Sequence, residues 1–233
     1  MNKRRYMPAS TPKLTKNVFE KAAWLQGHLV CGIDEVGRGC LAGPLVTAAV
    51  IIPANKHHPL LKDSKILTPE EREKAARWIL KHCWYGYGVV HNRLIDERNI
   101  WQATLIAMKR ALVQLLATSP HLPQSILVDA MPLSLLDTSY RDIPVYYFPK
   151  GENFSTSIAA ASILAKVKRD AIMQALDPLF PVYALGQHKG YGTKQHRDAL
   201  AKHEHSIIHR KTYLSESDHD LESNDQSNQQ CIR

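Results

Sequence analysis

Four acidic residues stand where an apolar core has little use for them. Asp34 and Glu35 close the run Gly32-Ile33-Asp34-Glu35, and Asp129 follows Ile126-Leu127-Val128. Asp170 lies in an alanine-rich stretch, three residues after Val167 and seven after Ile163, a spacing that turns it toward the core if the stretch is helical. An isolated carboxylate is costly to bury. An Arg or Lys partner, or a helix cap, could relieve each one singly. All four together point to a shared divalent cation, because carboxylate oxygens are the ligands that Mg2+ and Mn2+ prefer. Such a cluster is suited to phosphodiester hydrolysis with two ions, one activating a water and the other stabilising the leaving oxygen. No Ser-His-Asp arrangement is more evident, and no GxxxxGKS or GxxxxGKT phosphate loop is present.

The elements that must carry these acids can be read from pattern. Leu29–Val36 and Pro44–Ile52 are β-like runs joined through Gly37-Arg38-Gly39, and Trp84–Val90 is a third strand. Successive strand residues face opposite sides, so Asp34 and Glu35 reach one ion together only if the strand kinks at its end. Thr68-Pro69-Glu70-Glu71 starts a helix that ends near His82. Ile100, Leu105, Met108, Leu112 and Leu115 give a helical period to Asn99–Leu116. Ser125–Asp129 and Ile143–Phe148 read as short buried strands, and Ser155 or Ser157 caps a long helix reaching Leu176. Three early strands followed by alternating helices and strands make an α/β domain around a mixed sheet. In open α/β sheets, sites gather at strand ends, which favours one shared site for the acids.

Charge narrows the substrate. The chain has 233 residues, 44% of them apolar, with 30 Lys and Arg against 22 Asp and Glu, a net of +8 and a pI near 9.3. Residues 214–233 hold five acids and only Arg233, a net of −4 that leaves +12 for the rest. A basic body beside an acidic tail suits a polyanionic partner, nucleic acid above all. Residues 1–16 read as a basic flexible arm, 17–214 as one catalytic domain with a small C-terminal helical segment, and 215–233 as an acidic, polar, disordered tail. Cys31, Cys40, Cys83 and Cys231 form no CxxC pair, as in a reduced cytoplasmic protein. The longest apolar stretch, Leu41 to Ile52, is too short and broken to span a bilayer. No apolar run follows Lys3-Arg4-Arg5, which argues against a secretory signal; an organellar presequence stays open because the first acid is Glu20.

At these residues the sequence resembles the type 2 ribonuclease H family, the bacterial ribonuclease HII group. GIDEVGRGCLAGPLV is similar to the family's opening signature, KDSKILTPEERE to its DSK segment and IDERNI to the segment before its long helix. ILVDA resembles its third acidic strand, SIAAASILAKVKRD its alanine-rich helix and HKGYGT a later loop. The six motifs follow the family's order across residues 29–193. The resemblance implies a ribonuclease H-like fold, a five-stranded mixed sheet flanked by helices. It implies that Asp34, Glu35, Asp129 and Asp170 bind two ions, Mn2+ or Mg2+. It implies endonucleolytic cleavage of RNA in RNA–DNA hybrids, including cuts 5′ to single ribonucleotides in duplex DNA that leave 3′-hydroxyl and 5′-phosphate ends.

The resemblance also implies that Gly37-Arg38-Gly39 recognises the RNA-to-DNA junction, where glycines admit backbone to the 2′-hydroxyl. Tyr191 resembles the tyrosine that packs on the next sugar, and Lys65 a phosphate-contacting lysine. Three features depart from the pattern: Ala130 where many relatives have Gly, Glu152 where Asp is common, and His209-Arg210-Lys211-Thr212-Tyr213 at a loosely matching end. A preference for long hybrids, as in ribonuclease HIII, is the nearest alternative, disfavoured by the GRG triplet. A hybrid-binding module without catalysis would fit the loss of an acid, and all four are present. A carboxylate-pair glycosidase would leave the basic body unexplained. The histidines at 196, 203, 205 and 209 read as solvated or phosphate-facing rather than as a zinc site, Trp24, Trp78, Trp84 and Trp101 as core or interface aromatics, and the chain as a monomer.

Overall fold

The computed structural model describes residues 5–6 and 17–214, so the rest of the basic arm and the acidic tail lie outside the described residues. Its centre is a mixed sheet. The strands are β1 (Arg5–Tyr6), β2 (Val30–Val36), β3 (Leu45–Ile51), β4 (Trp84–Val90), β5 (Ser125–Asp129) and β6 (Val145–Phe148), in the order β1-β6-β5-β2-β3-β4. The antiparallel meander β2-β3-β4 continues through the parallel strands β5 and β6. These are the five expected strands. The two-residue β1 adds a sixth, parallel to β6, at the edge.

Side chains alternate across the sheet as strand geometry requires. Cys31, Ile33, Ala49, Ile51, Ile126 and Val128 face α3 (Asn92–Thr118), packing on Met108, Leu112 and Leu115. Val46, Ala48, Val50 and Ile52 face the other way, against α2 (Pro69–His82) and α4 (Thr156–Leu176). The alanines 159–161 and 165 are fully buried and let α4 lie close to β2. Gly32 completes that approach: a Cβ there would come within 2.2 Å of the α4 backbone at Ile158. One short helix, α1 (Val18–Trp24), precedes the sheet, and α5 (Leu185–His188) and α6 (Lys194–His203) follow α4.

Local signals explain the helix starts. Thr68 and Glu71 form a reciprocal capping box on α2, and Ser155 caps α4 by accepting from the Ile158 amide. The α3 helix begins seven residues before the sequence reading placed it, because His91 accepts from the Leu94 amide and starts an extra segment. That segment breaks at Asn99 (φ 61°), whose side chain caps the longer helical run by accepting from Gln102. Trp24, Trp78 and Trp84 pack on the core, whereas Trp101 is 44% exposed.

Candidate active site

The parallel pairing of β2 with β5 runs from Val30↔Ser125 to Ile33↔Val128 and stops there. The next residue on each strand is an acid, Asp34 on one and Asp129 on the other. Asp34, Glu35 and Asp129 all line a single cleft at this fork, with about 160 Å3 of room for water. Both Asp34 and Glu35 line the cleft without a break in the strand pairing between them. The β2–β3 ladder continues unbroken through Val36↔Val46, and the cleft opens on the other edge of β2. The remaining wall is Ser64, Lys65, Arg72, Glu152, Ser162, Lys166 and Tyr191.

The electrostatics are those of an uncompensated acidic cluster. Asp34 is only 7% exposed, and burial lifts its pKa well above the usual carboxylate range, with Glu35 and Asp129 adding repulsion. Burial also lifts Glu35 to about 7, Arg38 offsetting part of the rise and Asp129 adding to it. Asp129 is raised by burial although the Gly151 amide donates to its Oδ1 at 2.9 Å. Glu152 is raised by burial too, with Asp129 repelling it.

Each acid has only a modest substitute for a cation. Asp34 Oδ1 accepts from the Glu35 amide at 2.7 Å, and Glu35 Oε1 lies 3.6 Å from the Arg38 guanidinium. Glu35 Oε2 is buried with no hydrogen-bond partner. Among the described residues, no three His, Cys, Asp or Glu side chains are grouped to hold an ion as they stand. An orphaned buried oxygen, two further carboxylates at its side and an all-oxygen donor set fit a hard divalent cation.

Asp170 stands apart from that trio. It is absent from the cleft wall and accepts from Lys166 Nζ at 2.8 Å, one helical turn away on α4. Lys166 itself lines the cleft, and so does Lys65. Tyr191, 38% exposed, has Lys166 Nζ and Arg169 Cζ each 5.6 Å from its ring centre. The Gly37-Arg38-Gly39 turn leaves the end of β2 with Gly37 at φ 96°, and a Cβ there would strike Arg169.

Sequence reasoning noted Glu152 only as a departure from the family pattern, and passed over Lys166, Arg72 and the Ser64–Ser162 hydroxyl pair, 2.9 Å apart. The signal for Lys166 was its place four residues before Asp170, the spacing of a helical ion pair. The histidines are a correction. His203 and His205 are exposed, but His196 and His209 are buried and bonded to each other, so the solvated reading fails for those two.

The model of the family described as ribonuclease HII matches residues 31–215, which include the whole cleft. The chain belongs to the ribonuclease HII family. A ribonuclease HII of Levilactobacillus brevis is 44% identical over 84% of this chain and 72% of its own. One from Caldanaerobacter subterraneus subsp. tengcongensis is 46% identical over 84% and 78%. Among solved structures, the ribonuclease H2 of Pyrococcus horikoshii OT3 superposes with a TM-score of 0.64 at 27% identity, covering 79% of this chain and 93% of that one. The protein is therefore an endoribonuclease of a divalent-metal-dependent family that cleaves RNA in RNA–DNA hybrids. Among the described residues, no helix is long and apolar enough to cross a membrane.

Proposed function

We propose that this ribonuclease HII cuts duplex DNA on the 5′ side of a single embedded ribonucleotide, as well as RNA in longer hybrids, leaving 3′-hydroxyl and 5′-phosphate ends. The observation that carries the reading is the fork between β2 and β5, where three carboxylates, Asp34 buried and Glu35 and Asp129 partly so, share a cleft with Tyr191 and lie beside the Gly37-Arg38-Gly39 turn.

Asp34, Glu35 and Asp129 would hold two divalent ions, Mn2+ or Mg2+, and Asp170 would complete the site or orient the attacking water. When bound, such ions lower the pKa of a water and neutralise charge on the leaving oxygen. The chain's own residues do the positioning. Lys65, Lys166 and Arg72 set positive charge along one wall for the phosphate backbone. Tyr191 offers a ring face to the sugar beyond the ribonucleotide, where a 2′-hydroxyl would not fit. The GRG turn presents backbone to the 2′-hydroxyl that marks the target. Residues 17–214 form the catalytic unit, acting as a monomer.

A ribonuclease HIII-like preference gains nothing from the acids, which either activity needs, and the relatives at 44% and 46% identity are ribonucleases HII. The test is cleavage of a duplex carrying one ribonucleotide, with Mn2+, Mg2+ or chelator. A single metal-dependent cut 5′ to the ribonucleotide is expected. Cleavage of long hybrids alone would overturn the single-ribonucleotide reading.

A further inference from the structure

Two arginines are completely buried, and neither is paired with a carboxylate among the described residues. A guanidinium in that position must spend its donors on backbone. Arg169 donates to the carbonyls of Ala42, Pro44 and Lys189. Arg210 donates from Nε and Nη2 to the Gly43 carbonyl and from Nη1 to the Arg38 carbonyl at 2.8 Å. The Arg38 carbonyl takes a second bond, also 2.8 Å, from the Tyr213 hydroxyl. Arg210 and Tyr213 are themselves in contact, the guanidinium carbon 5.2 Å from the ring centre.

This convergence decides which way one peptide group faces. The chain has no cis bond among the described residues, so the Gly39 N–H points opposite to the Arg38 carbonyl. With that carbonyl turned inward by two donors, the Gly39 amide is turned outward. Gly39 is exposed, its amide makes no hydrogen bond among the described residues, and a Cβ built on it meets nothing within 4 Å. A free donor beside an open slot is what a ribose hydroxyl would need.

We infer that Arg210 and Tyr213 are positioning residues for ribose recognition, holding the Arg38–Gly39 peptide so that its N–H meets the 2′-hydroxyl. The inference rests on the proposed junction role of the GRG turn and adds the device that orients it. The C-terminal residues thus act on selectivity through the backbone of residue 38 without touching substrate.

The test uses the full chain carrying Asp34→Asn, so that binding is read without cleavage. Affinity is measured for a duplex with one ribonucleotide and for the same duplex in all-DNA form, and the ratio is compared among variants. Tyr213→Phe removes one bond to the carbonyl at almost constant volume, and the ratio should fall roughly threefold to tenfold while all-DNA affinity holds. Arg210→Lys keeps the charge but not the fork and should lower the ratio further. Gly39→Ala, which fills the open slot, should abolish the preference. If Gly39→Ala abolishes it and Tyr213→Phe leaves the ratio intact, the positioning role is wrong and the GRG reading stands. If neither changes the ratio, the GRG reading falls and the inference with it. An equal loss of affinity for both duplexes in Tyr213→Phe would show a merely structural residue and overturn the inference.

Discussion

His196 and His209 face each other through their Nε2 atoms at 3.1 Å, and only one proton can lie between them. The neighbours settle which ring donates. His209 Nδ1 accepts from the Ser206 amide at 3.0 Å, so its proton sits on Nε2 and points at His196. His196 then donates from Nδ1 to the Tyr191 carbonyl at 3.0 Å. His188 stacks on His196 with ring centres 4.3 Å apart. All these bonds require neutral rings, and burial together with His196 pushes His209 down from 6.5 to about 4.

The unfolded chain therefore binds protons that the folded chain refuses between pH 6.5 and 4. Stability from this cluster is whole above that window and is lost as pH falls through it, by up to about 3 kcal/mol. Urea unfolding at pH 7 and pH 5 checks it. H209Q should start less stable at pH 7 and lose less on acidification than the unaltered protein. An equal loss in both would remove the cluster as the cause.

The acidic cleft has the opposite sign. Folding raises the pKa of Asp34 and Glu35, so the folded state holds protons that the unfolded state releases, and stability declines as pH rises from about 4.5 through 7. Asp34→Asn keeps an acceptor for the Glu35 amide and removes one of the repelling charges. In chelator at pH 8 it should be more stable by about 1–2 kcal/mol, while its cleavage in Mn2+ falls to background. Calorimetry and a cleavage assay on one preparation test both halves.

Metal should reverse that penalty. Saturating Mn2+ is expected to raise the unfolding temperature by about 5 °C over chelator, with most of the shift gone in Asp34→Asn. A shift of equal size in the variant would place the ion elsewhere.

Asp170 makes a separable prediction because its partner Lys166 lies on the cleft wall. The pair is only 19% and 22% exposed, so Asp170→Asn should cost about 1–2 kcal/mol of stability, between the values for exposed and buried pairs. Its effect should fall on turnover, as Lys166 loses its tether and the fourth acid is gone. Unchanged turnover with a large loss of stability would make Asp170 structural.

Ala130 follows Asp129 at φ 52°, in the left-handed region that favours glycine. Ala130→Gly should relieve strain and stabilise the fold by about 0.5–1 kcal/mol after glycine's own entropic cost. Chemical denaturation provides the measurement.

Much of this was legible in the sequence because motif and periodicity agreed. Asp34, Glu35 and Asp129 were found from acids ending apolar runs, and the strands carrying them were bounded to within a residue or two. What stayed hidden depended on tertiary contact. His196 looked solvated beside Lys194, Gln195 and Arg197, yet it shares a helical face with Ala199 and Leu200, which pack into the small C-terminal core. Arg210 carries no sequence mark of burial, since its partners are carbonyls of a loop distant in the chain. Strand β1 is two residues long, too short for any alternation to be read.

The fork between β2 and β5 has a bearing on how activity arises during synthesis. Asp34 belongs to the first long strand made and Asp129 to the fourth, and between them come two strands and the helices α2 and α3. No contiguous piece of chain that stops short of β5 contains both acids, and the parallel pair must zip before they become neighbours. A nascent chain that ends before β5 is therefore expected to be inert toward any hybrid nearby. A proteolytic nick that released β5 is expected to abolish hydrolysis instead of slowing it.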